Sequence, residues 1–359
     1  MRLLWLKTQG VRNLCHEPLS LGSGINWFVG NNGQGKTSVL EAAYALLTSR
    51  SFRASTLSEM ICHGHPRCQM EGSLERNGDK AWMALHLEQG RTRRRLSGKP
   101  CDTLTYVSQA KILAFTRHSV ALVEGGPEER RRFLDRVAAH LENQHLANLG
   151  RYRRYKQQLQ QCLGNGSDLA LYQSFKHGWA ALSEQLVTRR QAALKSLMPF
   201  VLDYFAEWFP DVGALTFQYR TRNVSDLGQY QKRLLSLSAR ELLQKRMLGG
   251  AHLDELEISL GGQDARKVAS AGQMRAVAMA LVFGARALIH KTTGIAPILV
   301  LDDADAELDR TRWSKVMAVA EEAGQTLVST SEYAIIRGFE RGTVFKVDTG
   351  TVRLERDGG

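Results

Sequence analysis

No apolar run in this sequence approaches the roughly 20 residues that a membrane-spanning helix needs. The longest candidate, Ala276 to Ile289, is interrupted by Gly284 and Arg286, so no membrane partner is expected. A secretory leader is equally hard to find, because Lys7 stands inside what would have to be its apolar core in "MRLLWLKTQG". Cysteine is scarce: there are five, odd in number and without a C-x-x-C pair. That usage speaks against a disulfide framework and fits a reduced, cytoplasmic protein. "CHGHPRC" at 62–68 gathers two Cys and two His, but no second cluster stands at zinc-finger spacing, so the stretch reads as a plain turn. Internal repeats and low-complexity tracts are absent.

Acidic residues are in deficit. Against 48 Lys and Arg there are 36 Asp and Glu, a net charge of +12 at pH 7. For a soluble chain that balance favours a polyanionic partner, nucleic acid first, over a generically basic solvated surface. The rest is ordinary. With 43% hydrophobic and 23% charged residues in a chain of 359, there is enough for a sizeable core and two or three structural lobes.

Texture divides the chain. "LLWLKTQGVRNL" reads as a strand and turn, and "INWFVG" at 25–30 as a short buried strand ending in glycine. "TSVLEAAYALLTS" has helical periodicity through Val39, Leu40, Ala43 and Leu46. Short alternating stretches from about 68 to 107, separated by "RNGDK" and "LSGKPCD", predict a β-meander. From Pro127 helical texture takes over, with Phe133, Leu134, Val137, Leu141 and Leu149 on one stripe. "GNGSD" breaks it, and a second helix runs from about 169 to Phe209, halted by Pro210. "ALTFQYRT" looks like a strand and 226–247 like another helix, before a hairpin in "LEISLGGQDA". "APILVLDDADAELD" and "GQTLVSTSE" contain buried strands with a helix at 312–323 between them, and "GTVFKVDTGTVRLERD" closes as a hairpin. The expected organisation is an α/β lobe from 1–122 together with 251–359, and a mostly helical insertion at 123–250.

Two motifs carry chemistry. "GNNGQGKT" fits G-x-x-x-x-G-K-[ST], with a strand before it and a helix after it. Its glycines let backbone N–H groups wrap phosphate oxygens, and the helix N-terminus adds a favourable dipole. Gly30, Asn31, Asn32, Gly33, Gln34, Gly35, Lys36, Thr37 and Ser38 are therefore the expected contacts to a nucleoside triphosphate. Lys36 would reach the β- and γ-phosphates and the Thr37 hydroxyl would bind Mg²⁺. In "PILVLDD", four apolar residues bring Asp302 to the end of a buried strand, where it can hold the Mg²⁺ hydration shell. Asp303 follows, placed to orient or deprotonate an attacking water, so Lys36 and Asp303 are the catalytic candidates.

A third stretch raises a question. The apolar helix that ends near Ile289 begins with Ser270, Gly272 and Gln273, although one serine would suffice to cap it. Between Lys36 and Asp302 lie 265 residues, positions 37 to 301. That split, with "SAGQ" shortly before the acidic strand, resembles the head domains of SMC-type and ABC-type ATPases. The resemblance implies that Ser270 to Gln273 cap the γ-phosphate held by a second protomer, giving an ATP-dependent homodimer.

Finer resemblance covers nearly the whole chain. "GKTSVLEAAYALLTSRSFRASTLSEMICHG", "LVEGGPEERRRFLDR", "LEISLGGQDARKVASAGQMR" and "DDADAELD", in this order, look like the RecF recombination-mediator family. "RSFR" at 50–53 and the "GGPEERRRFLDR" run are its most specific parts. The resemblance implies a P-loop ABC/SMC-type ATPase head with an inserted helical lobe, in a cytoplasmic protein of DNA repair, replication, recombination and the SOS response. It implies binding of ATP with Mg²⁺, dimerisation, slow ATP hydrolysis, and binding of duplex DNA or single-strand gaps. RecR, RecO and RecA are the implied partners. The chain departs from the family at "FTRHSVAL" (115–122), where an acidic, proline-containing stretch is usual, at Ala251 and Leu253, and at Ala306. Ser329 and Thr330 stand where ABC-type enzymes often carry histidine, and Asp303 is one methylene shorter than the usual glutamate. These departures bear on hydrolysis rate and partner surfaces rather than on nucleotide binding. They leave a divergent paralogue with altered partners as an open reading.

Arg91, Arg93, Arg94 and Arg95, and "RYRRYK" at 151–156, are the clusters that could hold DNA phosphates, with a solvated basic face as the plain alternative for each. A transporter's nucleotide-binding subunit is the competing class, opposed by the charge, the motif spacing and the lack of any membrane-partner signal. The ATPase subunit of a nuclease-linked defence assembly is another, and would need a separate nuclease, since no such site is visible here.

Overall fold

Three pentapeptides with apolar centres, INWFV, ILVLD and TLVST, form strands Ile25–Val29, Ile298–Asp302 and Thr326–Thr330, each buried at every residue. Parallel strands covered on both faces read as continuous apolar runs of this kind. The computed structural model describes residues 1–357 apart from 16, 89, 167, 223–226, 304–307, 323 and 337–341. The three strands, Ile112–Phe115 and Thr343–Asp348 pair in parallel within a six-stranded sheet. Its order is Thr351–Arg356, Thr343–Asp348, Ile25–Val29, Thr326–Thr330, Ile298–Asp302, Ile112–Phe115, and only the terminal hairpin pairs antiparallel. In register, Phe28 lies beside Ser329, Ser329 beside Asp302, and Leu301 beside Phe115. The C-terminal ends of four parallel strands are thus level along one edge.

A second, antiparallel sheet runs through Leu19–Ser20, Arg2–Gln9, Arg67–Arg76, Asp79–Glu88, Arg91–Leu96 and Lys99–Pro100. The helix Lys36–Thr48 has eleven of its thirteen residues buried. It shares one core with Leu3, Met70, Met83 and Leu85 of the antiparallel sheet and with Phe28, Val300 and Leu327 of the parallel one. A helix apolar all round is the one that can be enclosed on both sides. Gly72 permits the close approach, since a Cβ there would stand 2.7 Å from Leu46 Cδ2 and 2.6 Å from the Trp5 carbonyl oxygen.

Two compact units result: Met1–Ser119 with Ile289–Gly359, and Val120–Leu288. Residues 251–288, grouped by sequence texture with the α/β lobe, fall in the second unit. Strand Glu255–Leu260 pairs there with Leu215–Arg220. Three consecutive helices, Pro127–Leu141, Gln144–Asn165 and Leu169–Trp208, belong to this unit. The single stripe expected from Pro127 onward is two helices, because the first ends at Leu141. Its core gathers Tyr152, Tyr172, Trp179, Leu186 and Tyr230. The helix expected at 226–247 is likewise two, Tyr230–Ser236 and Ser238–Gln244. The β-meander ends at Pro100, and Asp102 caps a short helix, Thr103–Val107, by accepting from the Leu104 and Thr105 N–H groups.

Helix Ala271–Thr293 corrects one expectation. At 23 residues and mean hydropathy 1.3 it is long and apolar enough to cross a membrane, but 78% of that window is buried inside the protein. Gly284 interrupts its apolar texture for packing: a Cβ there would come within 2.7 Å of Val201 Cγ2.

The second unit also encloses charge. Arg190 donates to both Asp135 oxygens at 2.8 Å and to the Ala251 carbonyl at 2.6 Å, while His145 Nε2 lies 2.8 Å from Asp135 Oδ1. Burial opposes ionisation of Asp135, but the Arg190 guanidinium and the hydrogen bonds hold its carboxyl well below the usual carboxylate range. Asp135→Asn is expected to lower stability by about 3–5 kcal/mol, since it strands a buried guanidinium. Because the folded pKa is depressed, this contribution is complete above about pH 4 and is lost as pH falls below it. Urea unfolding of wild type and variant should therefore differ widely at pH 7 and converge in acid. Equal midpoints at pH 7 would remove Asp135 from the account of stability.

Candidate functional site

Between Val29 and Lys36 the chain must turn from a buried strand directly into a helix. It does so with Gly33 and Gly35 at positive φ, 81° and 115°. The Gly35 conformation is closed to side-chain-bearing residues without strain. Lys36, 5% exposed, folds back so that Nζ donates to the carbonyls of Gly30 at 2.7 Å and Asn31 at 3.0 Å. The loop is buttressed from outside: the Gln34 side chain accepts from the Thr349 N–H at 2.6 Å, and its carbonyl accepts from the Gly350 N–H at 2.8 Å. Ser38 donates to Asn13 Oδ1 at 3.2 Å.

Across 265 residues of sequence, the Thr37 hydroxyl donates to Asp302 Oδ1 at 2.9 Å. Ser329, fully buried on the neighbouring strand, donates to the same oxygen at 2.8 Å and accepts from the Asp303 N–H at 2.9 Å. Its Oγ is also 3.4 Å from Asp303 Oδ1. Asp303 sits at φ 49°, in the left-handed region, so this bond holds a backbone that a non-glycine residue seldom adopts. Burial pushes the Asp302 carboxyl above the usual carboxylate range, the charge of Asp303 adds to the rise, and the bonds from Ser329 and Thr37 oppose it. Hydroxyl and carboxylate oxygens make the donor set a hard one, suited to Mg²⁺. Among the described residues no cluster of three or more His, Cys, Asp or Glu could hold a metal unaided. A cation here would complete its shell with water and substrate oxygens, as Mg²⁺ does.

Loop and acids open on one cleft of ≈1040 Å³. Its walls include Asn32, Gly33, Gly35, Lys36, Thr37, Ser38, Asp302 and Asp303, so the structure gathers most of the residues singled out from the two sequence motifs. Several lining residues had no sequence motif to announce them. Arg12 is one; its guanidinium donates to both oxygens of Glu41 at 3.0 Å and to the Glu59 carbonyl at 2.6 Å. Glu41, fully buried on the loop's own helix, also accepts from Ser51 at 2.5 Å. Ser51 in turn accepts from the N–H groups of Arg53 and Ala54. The "RSFR" stretch is thus tied to the helix that follows the glycine loop, and it contributes Phe52 and Arg53 to the cleft wall. An acid inside an apolar helical run was the available signal for Glu41. Arg117 and His118 complete the rim. Ala306, the remaining departure beside the acids, lies outside the described residues.

Ser270 and Gln273 form a reciprocal capping box. The Gln273 side chain accepts from the Ser270 N–H at 2.8 Å, and Ser270 Oγ accepts from the Gln273 N–H at 3.3 Å. Helix capping accounts for those two residues and leaves Gly272 unexplained. It is exposed, and a Cβ there would meet nothing within 4 Å. It stands in the first turn of the helix, and among the described residues nothing within 4 Å requires a glycine there.

The basic clusters divide by face. Arg91, Arg93 and Arg95 are exposed on one side of their strand, as alternation dictates. Arg94 turns the other way, its Nε donating to Ser49 Oγ at 2.8 Å. In 151–156, Tyr152 is buried, stacked on Trp179 at 5.5 Å with its hydroxyl 2.8 Å from His252 Nδ1. It is a core residue and cannot stack on a base, whereas Arg151, Arg153 and Arg154 are exposed.

Residues 3–351 match the family described as "RecF/RecN/SMC N terminal domain". The chain is 30% identical to the DNA replication and repair protein RecF of Thermosynechococcus vestitus, covering 99% of this chain and 98% of that one. To the RecF of Myxococcus xanthus it is 29% identical, over 94% and 93%. Among solved structures, the recombination mediator protein RecF with ATP superposes with TM-score 0.89 at 21% identity, covering 99% and 97%. An Smc head bound to the C-terminal winged-helix domain of ScpA superposes with TM-score 0.59 at 15% identity, over 99% and 97%.

Proposed function

The chain belongs to the RecF family of RecF/RecN/SMC N-terminal-domain proteins, and from that premise we propose that it is an ATP-dependent DNA-binding protein of recombinational repair. The observation that carries this reading is the Thr37–Asp302 hydrogen bond. It joins two motifs 265 residues apart at the carboxyl edge of a parallel sheet, where open α/β folds take their ligands. Solved relatives named for an ATP complex and for the RecFOR pathway support it.

In this reading the backbone of Gly30 to Thr37 and the Lys36 ammonium hold the β- and γ-phosphates. Thr37 and Asp302 hold Mg²⁺, which when bound supplies positive charge against the phosphate oxygens. Asp303 orients an attacking water or accepts its proton, and Ser329 fixes where Asp303 stands. Asp303→Asn and Ser329→Ala are expected to leave ATP affinity within about twofold and to slow single-turnover hydrolysis by about 10- to 100-fold. Ser329→Thr, which keeps the hydroxyl, should recover part of the rate. Undiminished hydrolysis in both variants would mean that another group positions the water.

Ser270, Gly272 and Gln273 complete the site of a second copy, so that ATP clamps a homodimer. Gly272, which no described residue of this chain requires, supports this assignment: a missing side chain lets a partner's phosphate approach the helix N-terminus. DNA, duplex or at single-strand gaps, lies on the basic surface; the protein is cytoplasmic and hands gaps to RecR, RecO and RecA. Gel-shift titrations with gapped, duplex and single-stranded DNA, with and without ATP and at two salt concentrations, test this. Affinity should rise with ATP and fall steeply with salt as phosphate contacts release counterions. An affinity indifferent to both would contradict it.

A further inference from the structure

The cleft has cations that the lysine loop does not account for. Strand Ile112–Phe115 runs parallel to Ile298–Asp302 with Phe115 beside Leu301, which brings the following residues level with Asp302 and Asp303. The turn there is firmly built. The Ser119 N–H donates to the Thr116 carbonyl at 2.8 Å, the Thr116 N–H to Ser119 Oγ at 3.0 Å, and the His118 N–H to Thr116 Oγ1 at 3.1 Å. Backbone groups being satisfied within the turn, the side chains of Arg117 and His118 are left exposed along the cleft that also holds Lys36, Thr37 and both acids.

Their partners are few. Arg117 Nε donates to His118 Nε2 at 3.4 Å, and among the described residues Arg117 makes no ion pair. Its charge reaches the Asp302 carboxyl. Desolvation first, then the charges of Arg117 and Arg53, hold His118 below the usual imidazole range. The guanidinium groups of Arg53 and Arg117 therefore stand with the His118 imidazole in the wall of the cleft that holds both carboxylates, and among the described residues no carboxylate is paired to Arg117. Like charges gathered on rigid backbone are stabilised when an anion arrives between them.

We propose that Arg117 and His118 form a subsite for the terminal phosphate of a nucleoside triphosphate, so that this cleft separates triphosphate from diphosphate by side-chain charge as well as through the metal. The subsite rests on the nucleotide reading above. A planar guanidinium at the carboxyl edge, beside the metal-side acid, suits phosphate oxygens. Only the terminal group of the triphosphate distinguishes the two ligands.

Equilibrium dialysis of ATP and ADP, each with Mg²⁺ at low salt, tests it on the full chain. Arg117→Gln is expected to weaken ATP about tenfold and ADP less than about twofold, with a smaller loss of the same kind in His118→Gln. Arg117→Lys, which keeps the charge, should recover part of the ATP affinity. Equal losses for the two nucleotides, or weakened DNA binding with ATP affinity intact, would overturn the subsite. ATP binding that disappears in Lys36→Ala but is unaltered in Arg117→Gln overturns the subsite alone. A wild-type protein with no affinity for either nucleotide overturns the nucleotide reading and the subsite with it.

Discussion

Lys36→Ala is expected to abolish ATP binding at any practical concentration. Lys36 is 5% exposed, and its ammonium is fixed at 2.7 and 3.0 Å from two carbonyls of its own loop. A cation held that way is already oriented and largely dehydrated, so phosphate oxygens gain charge-assisted bonds without first ordering a mobile side chain. Losing two such bonds weakens affinity about 100-fold or more. Folding should survive, because the rest of the helix is anchored by Val39, Leu40, Leu46 and Leu47 in the core between the sheets. Equilibrium dialysis with a thermal-unfolding control measures both. Unchanged affinity would remove the glycine loop from the nucleotide site.

Ser270→Arg is expected to keep monomeric ATP binding and to lose ATP-dependent dimerisation entirely. Ser270 is exposed, and among the described residues its hydroxyl accepts one hydrogen bond, from the Gln273 N–H at 3.3 Å. Removing that cap costs about 0.5–2 kcal/mol, which a helix buried over most of its length can absorb. A bulky side chain beside Gly272 would meanwhile fill the space that a partner's γ-phosphate needs. Ser270→Asp separates the two effects: it retains an N-cap acceptor, yet places a negative charge against the phosphate. Both variants should stay monomeric with ATP in light scattering. Normal dimerisation of Ser270→Arg would sink the assignment, and rescue by Ser270→Asp would reduce it to helix capping.

Sequence made the centre of the fold legible because its strands are short, rich in apolar residues and adjacent to motifs. INWFV precedes the lysine loop and ILVLD precedes the acids, so spacing and period agree. Ile112–Phe115 escaped the same reasoning. Four residues show no period, and its place at the sheet edge is set by pairing with Ile298–Leu301, nearly two hundred residues later. The two lobes were drawn from texture, whereas residues 251–288 pack by strand pairing with Leu215–Arg220. In the site, Lys36, Thr37, Asp302 and Asp303 were readable as motifs. Arg12, Glu41 and Ser329 were not readable as such, since their roles come from three-dimensional neighbours: a carboxylate buried under a guanidinium, and a hydroxyl wedged between two acids. Ser329 was visible only as a departure from a familiar histidine.

We propose that the nucleotide site is finished by a second copy of the chain. Mixing Ser270→Arg with Lys36→Ala addresses it. In the mixed dimer one site combines both defects, and the other joins an intact lysine loop to an intact Ser270–Gln273 element. Crosslinking and light scattering with ATP, across a range of mixing ratios, should therefore detect dimers that neither variant forms alone, most abundantly near equal proportions. Dimers absent at every ratio, while each variant alone stays folded and Ser270→Arg still binds ATP, would contradict completion in trans.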